Sequence, residues 1–174
     1  LIALEDKNIM SDFAIEKMDR DINYQPQATV KGLNAEDFKE FVEKLGLNYE
    51  EVKKEVILND YANVYLDDGS TIYGRTYKYE KGDTMHGNLD GTNFTFKIAE
   101  VTNQKPSGQE GEYYGNGCII LNVDEYKDEI HFVPTDLAVK VEDANKTEED
   151  LINNYKDIYV SNIDKQVKFY QAIR

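Results

Sequence analysis

YANVYLDDGSTIYGRTY occupies residues 61–77, and this stretch is the one from which we predict the fold. Apolar and polar side chains alternate in both of its halves, with the period of two that is typical of a half-buried strand. A three-residue loop over 67–69, with Gly69 in the left-handed conformation, would pair Val64 with Ile72 and keep the apolar side chains on one face. A two-residue turn would mix the two faces. Because the buried face sets the register, we predict the three-residue loop.

The other face of this hairpin is our first candidate for a binding surface. Tyr and Arg are enriched at the energetic centres of protein interfaces. The candidate partner-binding residues on this face are Tyr61, Tyr65, Tyr73, Arg75 and Tyr77, and Asn63 projects from the same face. The alternative interpretation is that the terminal helices cover this face and that the tyrosine hydroxyls only reach its rim.

A second candidate contact region is the long stretch 102–117, which is rich in Gly, Gln and Glu. It is too long for a tight hairpin, so it is either a binding loop or simply a mobile connection. Tyr113 and Tyr114 lie near its end, and we include both among the candidate partner-binding residues.

Further strands are predicted after the hairpin, and helices are predicted on both sides of the sheet. Short apolar runs indicate strands at 94–98, 118–123, 130–133 and 137–141. An amphipathic pattern over 5–21, two short helices that begin after Asn34 and Asn48, and a tail helix complete the chain. We therefore predict an α+β fold: an antiparallel meander of about six short strands, flanked by an N-terminal helix plus αα-hairpin and by a C-terminal helix.

The length of 174 residues fits a single domain. Within it we expect a helical region over 1–58, the antiparallel sheet over 60–142 and the C-terminal helix over 147–173.

The predicted αα-hairpin resembles a DNA-binding helix-turn-helix in its spacing. Val42 lies four residues before Gly46, Leu47 follows the turn, and Val52 comes six residues after Gly46. The second helix is nevertheless acidic, with Glu50, Glu51 and Glu55 against two lysines. Phosphate contacts require a basic face, so we interpret the pair as a helical hairpin that packs on the sheet.

The net charge excludes more classes of function than any sequence motif does. The chain carries 34 Asp and Glu against 20 Lys and Arg, a net charge of −14, while 40% of its residues are hydrophobic. Such a field repels nucleic acid and anionic membranes and attracts basic protein surfaces. The sequence contains no apolar run of the roughly 18 residues that a membrane span needs and no charged-then-apolar leader. The compartment stays open, with the cytoplasm slightly favoured.

Residues with catalytic or metal-binding chemistry are few and scattered. Cys118 with His131 and Asp136 would make a thiol-nucleophile site, but the predicted pairing separates Cys118 from His131 by about 13 Å. We therefore interpret Cys118 as a buried core residue. His86 with Asp90 lies in a turn-rich segment that lacks the acids of a calcium loop. We predict no catalytic residue, no metal and no cofactor.

These observations favour a non-enzymatic, tyrosine-rich acidic module that docks on a basic protein surface. Inhibitors, immunity proteins and nucleic-acid mimics of bacteria or phages act in this way, and the preference for Lys over Arg fits such an origin. The alternative is a structural or virion module, or an extracytoplasmic ligand-binding module. An enzyme is the less favoured interpretation. The sequence leaves the oligomeric state open.

Overall fold

The computed structural model contains a closed barrel whose strands come from distant parts of the chain. The structure describes every residue except 22, 90, 110–116, 133–140, 156–158, 161, 163, 164 and 166–174. The chain divides into two compact units, Leu1–Thr135 and Asp136–Arg174.

The first unit contains eight strands and four short helices in the described residues. The strands are β1 Ile2–Leu4, β2 Gln27–Leu33, β3 Val56–Asn59, β4 Tyr61–Tyr65, β5 Thr71–Arg75, β6 Thr84–Leu89, β7 Thr92–Val101 and β8 Cys118–Asn122. The helices are α1 Asp12–Lys17, α2 Ala35–Lys44, α3 Tyr49–Val52 and α4 Val123–Tyr126.

Six of these strands close into a barrel in the order β1-β2-β8-β3-β7-β6, and β4 and β5 form a separate two-stranded sheet. Two of the pairings, β2 with β8 and β3 with β7, are parallel. The antiparallel meander that we predicted is therefore wrong, because the sheet is mixed and closes by pairings between strands far apart in sequence. Three of the six barrel strands, β1, β2 and β3, also begin within residues 1–58, which we predicted to be helical.

Parallel, doubly buried strands explain this error. The residues of β3 and β8 are buried on both faces, so their side chains form continuous apolar runs instead of alternating. Such a run has no period of two, and its partner cannot be read from local sequence. Val56, which we assigned to a helix, is in fact the first residue of β3, and α3 makes only a single turn before it.

The core has two layers, one inside the barrel and one between the barrel and α2. The buried residues that the strands contribute to the inner layer include Ile2, Leu4, Ala28, Val56, Leu58, Met85, Phe94, Phe96, Ile98, Ile119 and Leu121. The outer layer joins the other side of the strands to α2 and α3, and consists of Leu33, Phe38, Phe41, Val42, Val52, Ile57, Ala99, Cys118 and Ile120. Cys118 is buried, as predicted for a core cysteine.

The β4–β5 hairpin has the register that we predicted. Val64 is the partner of Ile72, the loop comprises residues 67–69, and Gly69 has a φ of +81°. The faces of this pair are set by its own alternation, which is why local sequence was sufficient to predict it.

The helix pair near residue 46 is confirmed, but the N-terminal helix is shorter than predicted. Asn34 caps α2 by accepting a hydrogen bond from the Asp37 amide, and Asn48 caps α3 by accepting one from the Glu50 amide. Helix α1 begins only after its cap Ser11, since the preceding residues form β1 and the turns that follow it.

The end of the first unit also differs from the prediction. The residues after β8 form the short helix α4, and the Ile130 amide bonds back to the carbonyl of Tyr126. The predicted strand at 130–133 is therefore wrong for its described residues, and most of the predicted strand at 137–141 lies outside the described residues.

The second unit contains helix α5, Ala144–Asn154. Asp143 caps it by accepting a hydrogen bond from the Lys146 amide, a few residues earlier than the predicted start at 147. Asn162 donates a hydrogen bond of 2.9 Å to Glu148. Most of the predicted helix beyond residue 155 lies outside the described residues.

Candidate functional site

The candidate site is one face of the β4–β5 hairpin. We call it the tyrosine face and define it by the side chains of Tyr61, Asn63 and Tyr65 on β4 and of Tyr73 and Arg75 on β5. Tyr61 is the partner of Arg75, and Asn63 is the partner of Tyr73. Paired residues of an antiparallel ladder project to the same side of the sheet, so the register alone places these five together.

The tyrosine face presents aromatic surface to solvent. Tyr65 is 79% exposed and Tyr73 is 48% exposed. The rings of Tyr61 and Tyr73 stack with their centroids 5.2 Å apart, and the side chain of Asn103 hydrogen-bonds to Tyr73. The stack fixes two rings before any partner arrives, which lowers the entropy cost of binding.

Arg75 is held in place at the base of the hairpin. Its Nε lies 3.1 Å from Oδ2 of Asp60, its Nη1 lies 2.7 Å from Oε1 of Glu80, and its Nη2 donates to the carbonyl of Tyr79. Asp60 is fully buried between β3 and β4. Burial raises the pKa of Asp60 to about 6, even though the neighbouring Arg75 guanidinium acts to lower it.

Acidic side chains flank the tyrosine face at both ends. Asp67 and Asp68 are exposed in the hairpin loop, and Glu80 is exposed at the base beside Arg75. Elsewhere in the first unit, helix α2 carries four further exposed acids: Glu36, Asp37, Glu40 and Glu43. A basic partner that approaches the tyrosine face therefore meets carboxylates on either side of the rings.

Tyr77 does not belong to the tyrosine face. It follows β5, is only 1% exposed, and donates a hydrogen bond of 2.7 Å to the carbonyl of Gln27 on β2. The backbone of Tyr77 also forms an isolated antiparallel β-bridge with Met10, and both side chains are buried in the barrel core. Tyr113 and Tyr114, the other two candidates, lie outside the described residues.

Sequence reasoning missed a polar cluster on the outside of the barrel. His86 Nδ1 lies 2.8 Å from Asp6 Oδ1, and the His86 amide and the Tyr79 hydroxyl both donate to Asp6 Oδ2. Burial raises the pKa of the Asp6 carboxyl, but these hydrogen bonds outweigh it and lower the pKa below its ordinary value. No local signal links residue 6 to residue 86, because β1 and β6 meet only when the barrel closes.

The interior of the barrel is filled by apolar side chains, so a ligand there would have to displace the core. In the part of the chain that the structure describes, no three His, Cys, Asp or Glu side chains are grouped to hold a metal ion. No helix among the described residues is both long and apolar enough to cross a bilayer.

Comparisons with protein-family models, with curated proteins and with solved structures gave no match to this chain.

Proposed function

We propose that this protein is a non-enzymatic interaction module that docks on a basic partner protein through the tyrosine face. The observation that carries the proposal is the exposure of Tyr65 and Tyr73 on a hairpin that takes no part in the barrel sheet. Aromatic surface is costly to leave in water, and the barrel strands close without it.

The charge distribution supports a basic partner. The net charge of −14 creates a long-range field that speeds the encounter with a positive surface. The carboxylates at both ends of the tyrosine face give that field a local focus, as an inhibitor or immunity protein would require. The packed aromatic centre then supplies affinity that persists when salt screens the field.

Partner capture at two salt concentrations tests this proposal. The immobilised protein is exposed to lysate of the source organism at about 0.05 M and at about 0.5 M salt, where the Debye length falls to roughly 4 Å. We expect one stoichiometric basic protein, identified by mass spectrometry, that is retained at high salt.

The control is an exposed tyrosine in the other unit. Tyr65→Ala or Tyr73→Ala should weaken binding at least tenfold. A tenfold change corresponds to about 1.4 kcal/mol of binding free energy, and truncation of an aromatic anchor at an interface commonly costs more than that. Tyr159→Ala should leave the affinity unchanged, although Tyr159 is 92% exposed. Failure to capture a partner at either salt, or a partner that ignores Tyr65 and Tyr73, would refute the proposal and favour a structural or ligand-binding module.

A further inference from the structure

Strand β4 has one edge that pairs with β5 and a second edge that pairs with no strand in the described part of the chain, and the hydrogen-bonding groups of both edges can be assigned residue by residue. The Thr76 amide bonds to the Asp60 carbonyl at 2.6 Å, and the Leu66 amide bonds to the Ser70 carbonyl at 2.9 Å. Hydrogen-bonded pairs alternate along an antiparallel ladder, so the even-numbered residues of β4 bond to β5. The N–H and C=O groups of Tyr61, Asn63 and Tyr65 consequently point away from β5.

These outward groups have no backbone partner among the described residues. The β4 sequence also contains no Lys, Pro or other charge, the devices by which proteins protect an exposed edge. The barrel, by contrast, has no edge because it is closed. Strand β4 is thus a ready template for another strand.

The edge of β5 is less accessible than that of β4. Ser11 donates its hydroxyl to the carbonyl of Arg75 and its amide to the carbonyl of Thr76 at 3.0 Å. Helix α1 begins directly after Ser11 and places the Phe13 ring against Gly74. An added strand therefore has more room along β4.

The charge of the protein indicates what kind of strand would pair with β4. Pairing with a second copy of this chain would bring together two molecules that each carry a net charge of −14, and each tip would add Asp67 and Asp68. An extended basic segment is attracted by the same charges. We propose that the β4 edge binds an extended, lysine- or arginine-rich segment of the partner by strand addition; this deepens the proposed function and rests on it.

The pleat of the sheet predicts the pattern of that segment. Residues opposite Tyr61 and Tyr65 project on the tyrosine face, where Arg or Lys side chains can stack on the rings. Residues opposite Ala62 and Val64 project to the other side, where the side chains of the hairpin are apolar, so we expect apolar side chains at these positions. The partner segment should therefore alternate basic and apolar residues over about five positions.

A synthetic peptide of this pattern tests the geometry while the partner is still unidentified. The probe is a capped nine-residue peptide that alternates Arg and Val, titrated into the 15N-labelled full chain and followed by NMR. In the antiparallel addition that we propose, its Arg residues pair with Tyr61, Asn63 and Tyr65, so their N–H groups face β4. N-methylation of the Arg residues should weaken binding at least tenfold, whereas N-methylation of the Val residues should change it less than twofold.

Proline substitutions supply the matched test on the protein. Asn63→Pro removes an outward N–H of β4 without removing a bond to β5, and should weaken peptide binding at least tenfold. Asn63→Ala removes the same side chain but keeps the amide, so it should weaken binding at least fivefold less than Asn63→Pro does. Thr71→Pro, which blocks the β5 edge, should change binding less than twofold. If Asn63→Pro fails to fold, the two methylated peptides still decide the matter on the unaltered protein.

Several results would overturn the inference. They are the absence of peptide binding, equal effects of the two methylation patterns, or slow hydrogen exchange of the Asn63 and Tyr65 amides in the free protein, which would show an edge already paired. A captured partner that needs Tyr65 and Tyr73 but tolerates Asn63→Pro would refute strand addition and leave the proposed function standing. A partner that ignores the tyrosines would refute the proposed function instead.

Discussion

The buried carboxyl of Asp60 predicts a pH-dependent stability whose sign can be worked out from the structure. Asp60 is fully buried, and burial raises its pKa from 3.8 to about 6 against the opposing effect of Arg75. The native state therefore holds this proton more tightly than the unfolded chain does. Its contribution to stability is greatest below the unfolded pKa and is lost as the pH rises through about 6.

The magnitude follows from the two pKa values. A rise from 3.8 to about 6 corresponds to about 3 kcal/mol at about 1.4 kcal/mol per pH unit, and roughly half of this falls between pH 5 and pH 7. Substitution of Asp60 by Asn removes the titration while keeping the size of the side chain. Relative to the wild type, Asp60→Asn should gain roughly 1 to 1.5 kcal/mol of stability between pH 5 and pH 7.

Urea unfolding followed by circular dichroism measures this difference at each pH. Any difference between the Asp and Asn side chains that does not depend on pH cancels, because only the change in stability with pH is compared. Asp68→Asn is the control: Asp68 is exposed, and hydrogen bonds from Ser70 lower its pKa from 3.8, so it stays ionised from pH 5 to pH 7 and its substitution should add no pH dependence in that range. A wild-type-to-Asp60→Asn difference that stays constant from pH 5 to pH 7 would show that Arg75 fully offsets burial, and would refute the reasoning.

Two substitutions near the hairpin test how it is joined to the barrel, each by urea unfolding at neutral pH. Gly74→Ala should destabilise the protein by about 1 to 3 kcal/mol, because a Cβ there would lie 2.6 Å from the Phe13 ring; an unchanged midpoint would mean that α1 moves away freely. Tyr77→Phe should cost about 1 kcal/mol through the lost bond to the Gln27 carbonyl. The matched change Tyr65→Phe should cost almost nothing, and equal losses for both tyrosines would contradict the assigned burial.

The hairpin and the helix pair could be predicted from sequence because local signals specify them. Gly69 and the alternation around Val64 fix the hairpin register, and Asn34 and Asn48 mark the starts of two helices. Each of these elements is determined by residues less than about 15 positions apart, within reach of pattern reasoning.

The barrel could not be predicted in this way, because its pairings are long-range and partly parallel. Strand β2 pairs with β8 over residues such as Val30 and Ile119, nearly 90 positions apart. The first three residues of β3, Val56, Ile57 and Leu58, form a short, continuous apolar run, which cannot be told from a buried helical turn by its period.

The candidate site likewise has residues that local sequence places correctly and residues that depend on the long-range fold. Tyr61, Tyr65, Tyr73 and Arg75 were found from sequence because one hairpin holds them all. Tyr77 was assigned to the same face by extending the alternation, but it lies past the end of β5, where the chain returns to the core. Asp60, which positions Arg75, carries no sequence signal beyond being one acid among 34 in the chain.

The ionic base of the hairpin is itself an argument for a positioned binding surface. Ionising a fully buried carboxyl costs stability at neutral pH, and well-packed apolar residues of similar volume are often as stable as a buried ion pair. The Asp60–Arg75 pair is directional, however, whereas apolar contacts are not. It fixes the guanidinium within the tyrosine face, beside the Tyr61–Tyr73 stack, and joins the hairpin to the end of β3. We infer that the chain accepts a cost in stability at this point because the pair holds the hairpin and its free edge in one orientation for a partner.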